Sequence, residues 1–193
     1  MSERIETAAL RDFSVSLCRA AGLSADDAAL LTDSILFAEC RGVTSHGLLR
    51  LPQYIARLRS GATASNVPMP FTMESGGTAR LDAQNGLGQL AGRKASDKAE
   101  ELAAEYGVSF VAVANSNHFG TGAWYAIPAA RCGFFAFNIS SAASAMAPHG
   151  AAQPQCQRPD RNGGILPPRD GKRRDGIRVR RVPQGARPQP DRL

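Results

Sequence analysis

This chain of 193 residues has little with which to bind metal or crosslink itself: four cysteines and three histidines. Cys18, Cys40, Cys132 and Cys156 are scattered, with no C-x-x-C pair and no ligand-like spacing. That argues against a zinc site or a disulfide scaffold and suits a reduced, cytoplasmic protein. No apolar run reaches the roughly 20 residues that a membrane helix needs. Met1-Ser2-Glu3-Arg4 opens on charge, without a signal-peptide pattern. A full G-x-G-x-x-G phosphate loop is also missing. Its fragment Gly86-Leu87-Gly88 reads as a tight turn into the helix that follows.

Acidic charge is scarce toward the end of the chain. The formal net charge is +6, but residues 151–193 hold 11 of the 23 Lys and Arg against 4 of the 17 Asp and Glu. That leaves 12 basic and 13 acidic groups in the first 150 residues, a neutral globular composition. The tail carries 7 of the 12 prolines and no aromatic residue. Clustered arginine suits phosphate binding, so one reading is a non-catalytic protein with a basic nucleic-acid-binding tail. The lack of aromatics removes base stacking from that tail and makes a nucleic-acid partner the weaker expectation.

Apolar spacing predicts helices over residues 5–21, from Ala25 to about Glu39, and from Leu48 to Arg59. In the first, Ile5, Ala9, Leu10, Phe13, Leu17 and Ala20 form the apolar stripe. Ser24-Ala25-Asp26-Asp27 reads as an N-cap for the second. After Pro70 the period changes. Short strands flank Gly76-Gly77, an Ala-rich helix runs to Gly107, and a strand covers Val108–Ala114. A loop, a helix near Trp124–Arg131 and a strand Phe134–Ile139 complete a β-α-β-α-β order. The fold class is therefore α/β, an N-terminal helical segment followed by a mixed, largely parallel sheet with helices. The boundaries read as residues 1–66 for the helical region and 67–152 for the α/β region. Residues 153–193 form a disordered basic tail, too polar to bury a core.

Chemistry-bearing residues cluster on the loops. His118, in Asn115-Ser116-Asn117-His118-Phe119-Gly120, follows a strand and precedes a helix, where an imidazole can reach a ligand and exchange a proton near neutral pH. A lone loop histidine is otherwise usually inert. Arg50 lies four residues after His46, a spacing that puts both on one helix face and offers a guanidinium to a carboxylate. The bland alternative is a solvated arginine. Ser140, Ser141, Ser144 and Met146 follow a strand, where α/β sheets commonly take ligands, and are candidate cofactor contacts. An ordinary polar loop is their alternative.

Arg41-Gly42-Val43-Thr44-Ser45-His46-Gly47, then Arg50-Leu51-Pro52 and Tyr54, resembles the N-terminal signature of the malate/L-lactate dehydrogenase family, also called sulfolactate dehydrogenase-like. Asn85-Gly86-Leu87-Gly88-Gln89, the His118 loop and Met146-Ala147-Pro148 fall in that family's order and approximate spacing. The resemblance covers nearly all of residues 5–150. It implies NAD- or NADP-dependent interconversion of 2-hydroxy and 2-oxo acids, or of related imino acids, on a non-Rossmann fold in a homodimer. It also implies that His118 exchanges the substrate proton and that Ser45 and His46 assist at the active site. Ser45 has a second reading, as the N-cap of the helix that begins near Gly47.

The resemblance stops near residue 152. Written with suitable synonymous codons and read one base later, Gln157 to Gly163 give Asn-Asp-Pro-Ile-Ala-Met, which resembles the family's next segment. The expectation is that the tail is an out-of-frame reading and that the chain is a truncated, inactive or weakly active form. Malate, lactate, sulfolactate, ureidoglycolate and cyclic imino acids are all substrates that the resemblance allows.

Overall fold

The structure, a computed structural model, describes residues 5–141 and 174–181. Three helices, α1 (Thr7–Ala20), α2 (Ala25–Glu39) and α3 (Leu51–Arg59), form the N-terminal layer. Ser24 Oγ accepts the Asp27 N–H at 3.1 Å, and Asp26 and Asp27 occupy the first turn, where the helix dipole favours carboxylates. The N-cap expected from the sequence is therefore the one that starts α2. Leu31 and Ile35, at 0% and 1% exposure, centre this layer against Cys18, Leu51, Tyr54, Leu58 and Leu87.

Two sequence expectations change here. In α1 the buried residues are Ser14 and Cys18, while Ile5 and Phe13 stand 65% and 61% exposed. Ser14 donates to the Leu10 carbonyl at 2.8 Å, so its hydroxyl enters the interface already satisfied. The buried stripe is thus rotated away from the one that hydrophobicity alone selects. The expected helix from Leu48 begins instead as a 3-10 turn, Leu48–Arg50, and becomes α-helical at Leu51 with Pro52 in its first turn.

A five-stranded sheet follows, ordered β1-β2-β3-β5-β4. β1 (Phe71–Ser75) and β2 (Thr78–Asp82) form an antiparallel hairpin around Gly76-Gly77. The crossover helix α4 (Gly88–Tyr106) carries the chain to β3 (Val108–Ala114), parallel to β2 and in register from Thr78 opposite Phe110 to Asp82 opposite Ala114. α5 (Ala123–Arg131) and β4 (Phe134–Ile139) come next. β5 (Arg174–Arg181) lies between β3 and β4, antiparallel to both. The sheet is mixed: β2, β3 and β4 share a direction, yet among the described residues β2–β3 is the one parallel pairing because β5 separates β3 from β4.

β5 falls within the segment that the sequence reads as a basic tail. In sequence, Ile177 and Val179 alternate with Arg178 and Arg180, a two-residue period carried by β-branched positions. The Arg and Pro content of the whole tail masks that short run. Residues 142–173 and 182–193, and the expectations placed on them, lie outside the described residues.

α4 covers one face of the sheet. Its Ala91, Ala95, Ala99 and Ala103 are fully buried and let the helix approach Leu81 and Val111, both at 0% exposure. Gly107, at φ 78°, closes α4 by donating its N–H to Ala103 O at 2.9 Å. Val108, Phe110, Phe135, Phe137 and Ile139 are exposed instead, an uncovered apolar surface on β3 and β4. Among the described residues no helix is long and apolar enough to cross a membrane.

Candidate active site

β3 ends at Ala114, and Asn115 turns the chain out of the sheet at φ 54°, a left-handed conformation that asparagine tolerates better than most residues. Its side chain donates to Asp82 Oδ1 at 2.8 Å, tying the loop to the end of β2. The loop is then clamped from below. Asn117 Nδ2 donates to the carbonyls of Asn85 and Gly86, each at 2.9 Å, and Arg57 Nη2 donates to Asn117 Oδ1 at 2.8 Å. Gly88, the first residue of α4, sits against the carbonyls of Asn117 and His118 so closely that no Cβ fits. Its hydrogen thus has a role beyond the tight turn read from Gly86-Leu87-Gly88. It lets the His118 loop rest on the start of a helix.

His118 comes out of this loop toward α3. Its Nδ1 lies 2.7 Å from the Tyr54 hydroxyl and accepts the Gly120 N–H at 3.3 Å. Gln89, on α4 and 1% exposed, bonds the same Tyr54 hydroxyl at 2.6 Å. On the other side the His46 ring stands 5.3 Å from the His118 ring, centroid to centroid, tilted by 32°. Ser45 Oγ bonds His46 Nδ1 at 2.9 Å. Arg50 donates from Nε to Ser45 O at 2.8 Å and from Nη1 to Gln53 Oε1 at 2.9 Å, which fixes the plane of its guanidinium. Leu48 N–H donates to Glu39 Oε2 at 2.8 Å and ties this segment to the end of α2.

These surroundings tune the acid–base groups. Burial, with the nearby Arg50 charge and His46, pushes His118 down from the usual histidine value to about 4. It is neutral at pH 7 although the residue as a whole is exposed. Burial pushes the Tyr54 phenol up, against smaller opposing effects of the Gln89 bond and Arg50. Tyr54 therefore keeps its proton throughout the neutral range.

The four residues expected at an active site, Ser45, His46, Arg50 and His118, are brought together from segments far apart in the sequence. Two local readings are corrected. Ser45 does not cap a helix: Gly47 precedes the Leu48–Arg50 turn with no side-chain cap bond, and the Ser45 hydroxyl is turned to its neighbour His46. His46 and Arg50 are not on one α-helical face, since they end two successive 3-10 turns, Thr44–His46 and Leu48–Arg50. They are linked through the Ser45 carbonyl instead. Ser140 and Ser141 are exposed just past the carboxyl end of β4. Ser144 and Met146 lie outside the described residues. Sequence reasoning missed Gln89, Asn117 and Arg57 and gave Tyr54 no site role. The available signal for Gln89 was a polar side chain in register with the small buried residues of α4.

Both the sequence and the fold are similar to those of known proteins. The family model for malate/L-lactate dehydrogenase matches residues 5–156. A malate dehydrogenase of Pyrococcus abyssi is 33% identical over 150 residues, which are 78% of this chain and 41% of that protein. A (2R)-3-sulfolactate dehydrogenase (NADP(+)) of Chromohalobacter salexigens is 34% identical over 154 residues, 80% of this chain and 46% of that protein. The solved malate dehydrogenase of Pyrococcus horikoshii OT3 superposes with a TM-score of 0.73 at 30% identity, over 76% of this chain and 42% of that one. The chain thus spans less than half the length of these relatives. Within that span its sequence and its fold agree, and the chain belongs to the malate/L-lactate dehydrogenase family.

Proposed function

We propose that this chain carries the proton-transfer and carboxylate-binding residues of an NAD- or NADP-dependent oxidoreductase that interconverts 2-hydroxy and 2-oxo acids. The observation that carries this reading is the meeting of a neutral, partly desolvated His118 with His46 and an oriented Arg50. In the oxidising direction the substrate C–H leaves as hydride, and the hydroxyl proton needs a base. His118, whose ring is neutral at pH 7, supplies that base. Arg50 holds the substrate carboxylate, its guanidinium oriented by Ser45 O and Gln53. Ser45 and His46 set the other wall of the site and orient the reacting oxygen.

A bound nicotinamide nucleotide would supply the hydride chemistry. Ser140 and Ser141, exposed at the carboxyl end of β4, are the described residues that would help hold it. In the reducing direction His118 has to begin protonated. A bound carboxylate would offset the Arg50 charge and so weaken one of the causes, after burial, that hold the histidine low.

Substrate is a small malate- or lactate-like acid, the assembly is a homodimer, and the compartment is the cytoplasm. Because this chain spans less than half of its relatives, we expect weak turnover, or none, from its 193 residues alone. The test uses residues 5–156 joined to the remaining length of the Pyrococcus abyssi relative, assayed with NADH and NADPH on a panel of 2-oxo acids. Turnover should fall at least about 100-fold in His118→Gln, the usual size of a general acid–base contribution. Full turnover in that variant would sink the reading.

A further inference from the structure

The uncovered face of the sheet is neither purely apolar nor purely basic. Alternate residues of a strand belong to opposite faces and register partners share one, so the pairing decides which residues lie on the side away from α4. Val108 and Phe135 both pair with Arg180, and Phe110 and Phe137 both pair with Arg178. Two rows across β3, β5 and β4 therefore read Val–Arg–Phe and Phe–Arg–Phe. In the next row Ala112 and Ile139 flank Gly176, and Arg80 of β2 pairs with Ala112. Arginine positions of the tail are thus set between phenylalanines of the body.

Phe110, Phe135 and Phe137 are 41%, 61% and 52% exposed, so each ring is held by the sheet and still open to a ligand. Phe110 and Phe137 stand two strand spacings apart, about 10 Å, and Phe135 and Phe137 two residues apart, about 7 Å. Among the described residues none of the three rings is paired with another ring. Between them the small Ala112 and Gly176 keep the floor low. A groove of about 660 Å³ opens there, bounded by Tyr106, Val108, Phe110, Phe137 and Ile139.

The geometry points to a second binding site on this face, for single-stranded nucleic acid: bases stack on Phe110, Phe135 and Phe137, and phosphates meet Arg178, Arg180 and Arg80. Isolated aromatic rings on a sheet, interleaved with cations, are what sequence-tolerant binding of a single strand requires. The tail alone has the arginines without aromatic residues, and the pairing of β5 with β3 and β4 supplies the rings. A protein partner laid on this face would bury guanidinium groups among phenylalanines, whereas a polyanion brings a charge for each. A duplex offers phosphates but keeps its base faces stacked inside. β5 lies beyond the residues 5–156 that match the dehydrogenase family, so this site does not rest on the function proposed above.

The experiment is fluorescence anisotropy of a fluorescein-labelled oligothymidylate of about 12 nucleotides, titrated with the full chain. It is run at salt concentrations from about 50 mM to 200 mM. The wild type should bind, and bind more weakly as salt rises. Phe110→Ala and Phe137→Ala should each weaken binding about 5-fold or more, the size of one lost base stack. Phe137→Leu keeps apolar bulk without a ring and should lose affinity too, whereas Phe137→Tyr keeps the ring and should retain it; that contrast separates stacking from loss of folding. Arg178→Gln should weaken binding and lower the salt slope by about 0.7, one phosphate contact on a single strand. Phe13→Ala, equally exposed but on α1, should bind as the wild type does. No binding at the lowest salt would overturn the inference. So would unchanged affinity in the Phe110 and Phe137 variants, which would mean that the oligonucleotide reads the charge of the tail alone. A wild type that is dimeric by ultracentrifugation, turns monomeric in Phe137→Ala and leaves the oligonucleotide free would overturn it as well, in favour of a second copy of the chain on this face.

Discussion

Replacing Gly88 by alanine isolates the contact on which the site is mounted. A Cβ at this buried position would overlap the Asn117 and His118 carbonyl groups, standing 2.6 Å from the His118 carbonyl carbon. These are backbone atoms, and no rotamer change removes them. Nor can the loop slide, because Asn117 is held to Asn85 and Gly86, and Arg57 holds Asn117. Overpacking of a tight interior costs about 1–3 kcal/mol, and a clash with clamped backbone belongs at the upper end. Alanine returns up to about 1 kcal/mol of helix propensity over glycine, less at a first helical position. The net loss should be about 2 kcal/mol, read as a lower urea midpoint at unchanged slope. The His118 ring resonances should shift in the same variant, since the added methyl pushes on their own loop.

Gly107→Ala is the control. Nothing lies within 4 Å of its Cβ, but its φ of +78° strains an L-residue by about 1–2 kcal/mol. It should lower the midpoint by a comparable amount and leave the His118 resonances in place. An unchanged midpoint together with an unmoved His118 ring in Gly88→Ala would refute the packing argument.

Leu81→Ala, in the fully buried sheet core, should cost about 3 kcal/mol by urea unfolding, whereas Phe13→Ala, 61% exposed, should stay within about 0.5 kcal/mol; equal losses would contradict the burial assigned to α1. His118 binds fewer protons folded than unfolded between about pH 4 and pH 6.5, so its stabilising contribution is present above pH 6.5 and declines as pH falls to about 4. Stability of the wild type relative to His118→Asn, followed by urea unfolding across that range, should fall with pH, and a flat difference would show that the ring is not depressed.

The elements were legible where local chemistry decides them. Ser24 with Asp26 and Asp27 marked the start of α2, Gly107 marked the end of α4, and apolar runs marked β3 and β4. The errors arose where a partner decides. Phe13 has the right spacing for the core, but Ser14 faces it because the Leu10 carbonyl satisfies the hydroxyl. The place of β5 between β3 and β4 follows from pairing over a separation that no local window spans. The Gly47 backbone likewise breaks the Ser45–Arg50 run into two 3-10 turns, with Glu39 of α2 as a deciding contact.

The site shows the same division in its chemistry. His118, Ser45, His46 and Arg50 could be proposed from sequence because imidazole, hydroxyl and guanidinium on loops have few structural duties to hide behind. Tyr54 and Gln89 sit inside helices whose apolar faces account for them equally well as core. What gives them a role is distance in sequence collapsed to contact: 64 residues separate Tyr54 from His118, and 35 separate it from Gln89. Gln89 did leave a trace, since it falls in step with Gly92 and Ser96 on the buried face of α4, where leucine or valine would fill space better. An amide placed there sacrifices apolar burial, and a partner beneath the site is what makes that sacrifice intelligible. A polar side chain on an otherwise small, buried helix stripe is thus the feature to seek when the groups that do chemistry are known and those that aim them are not.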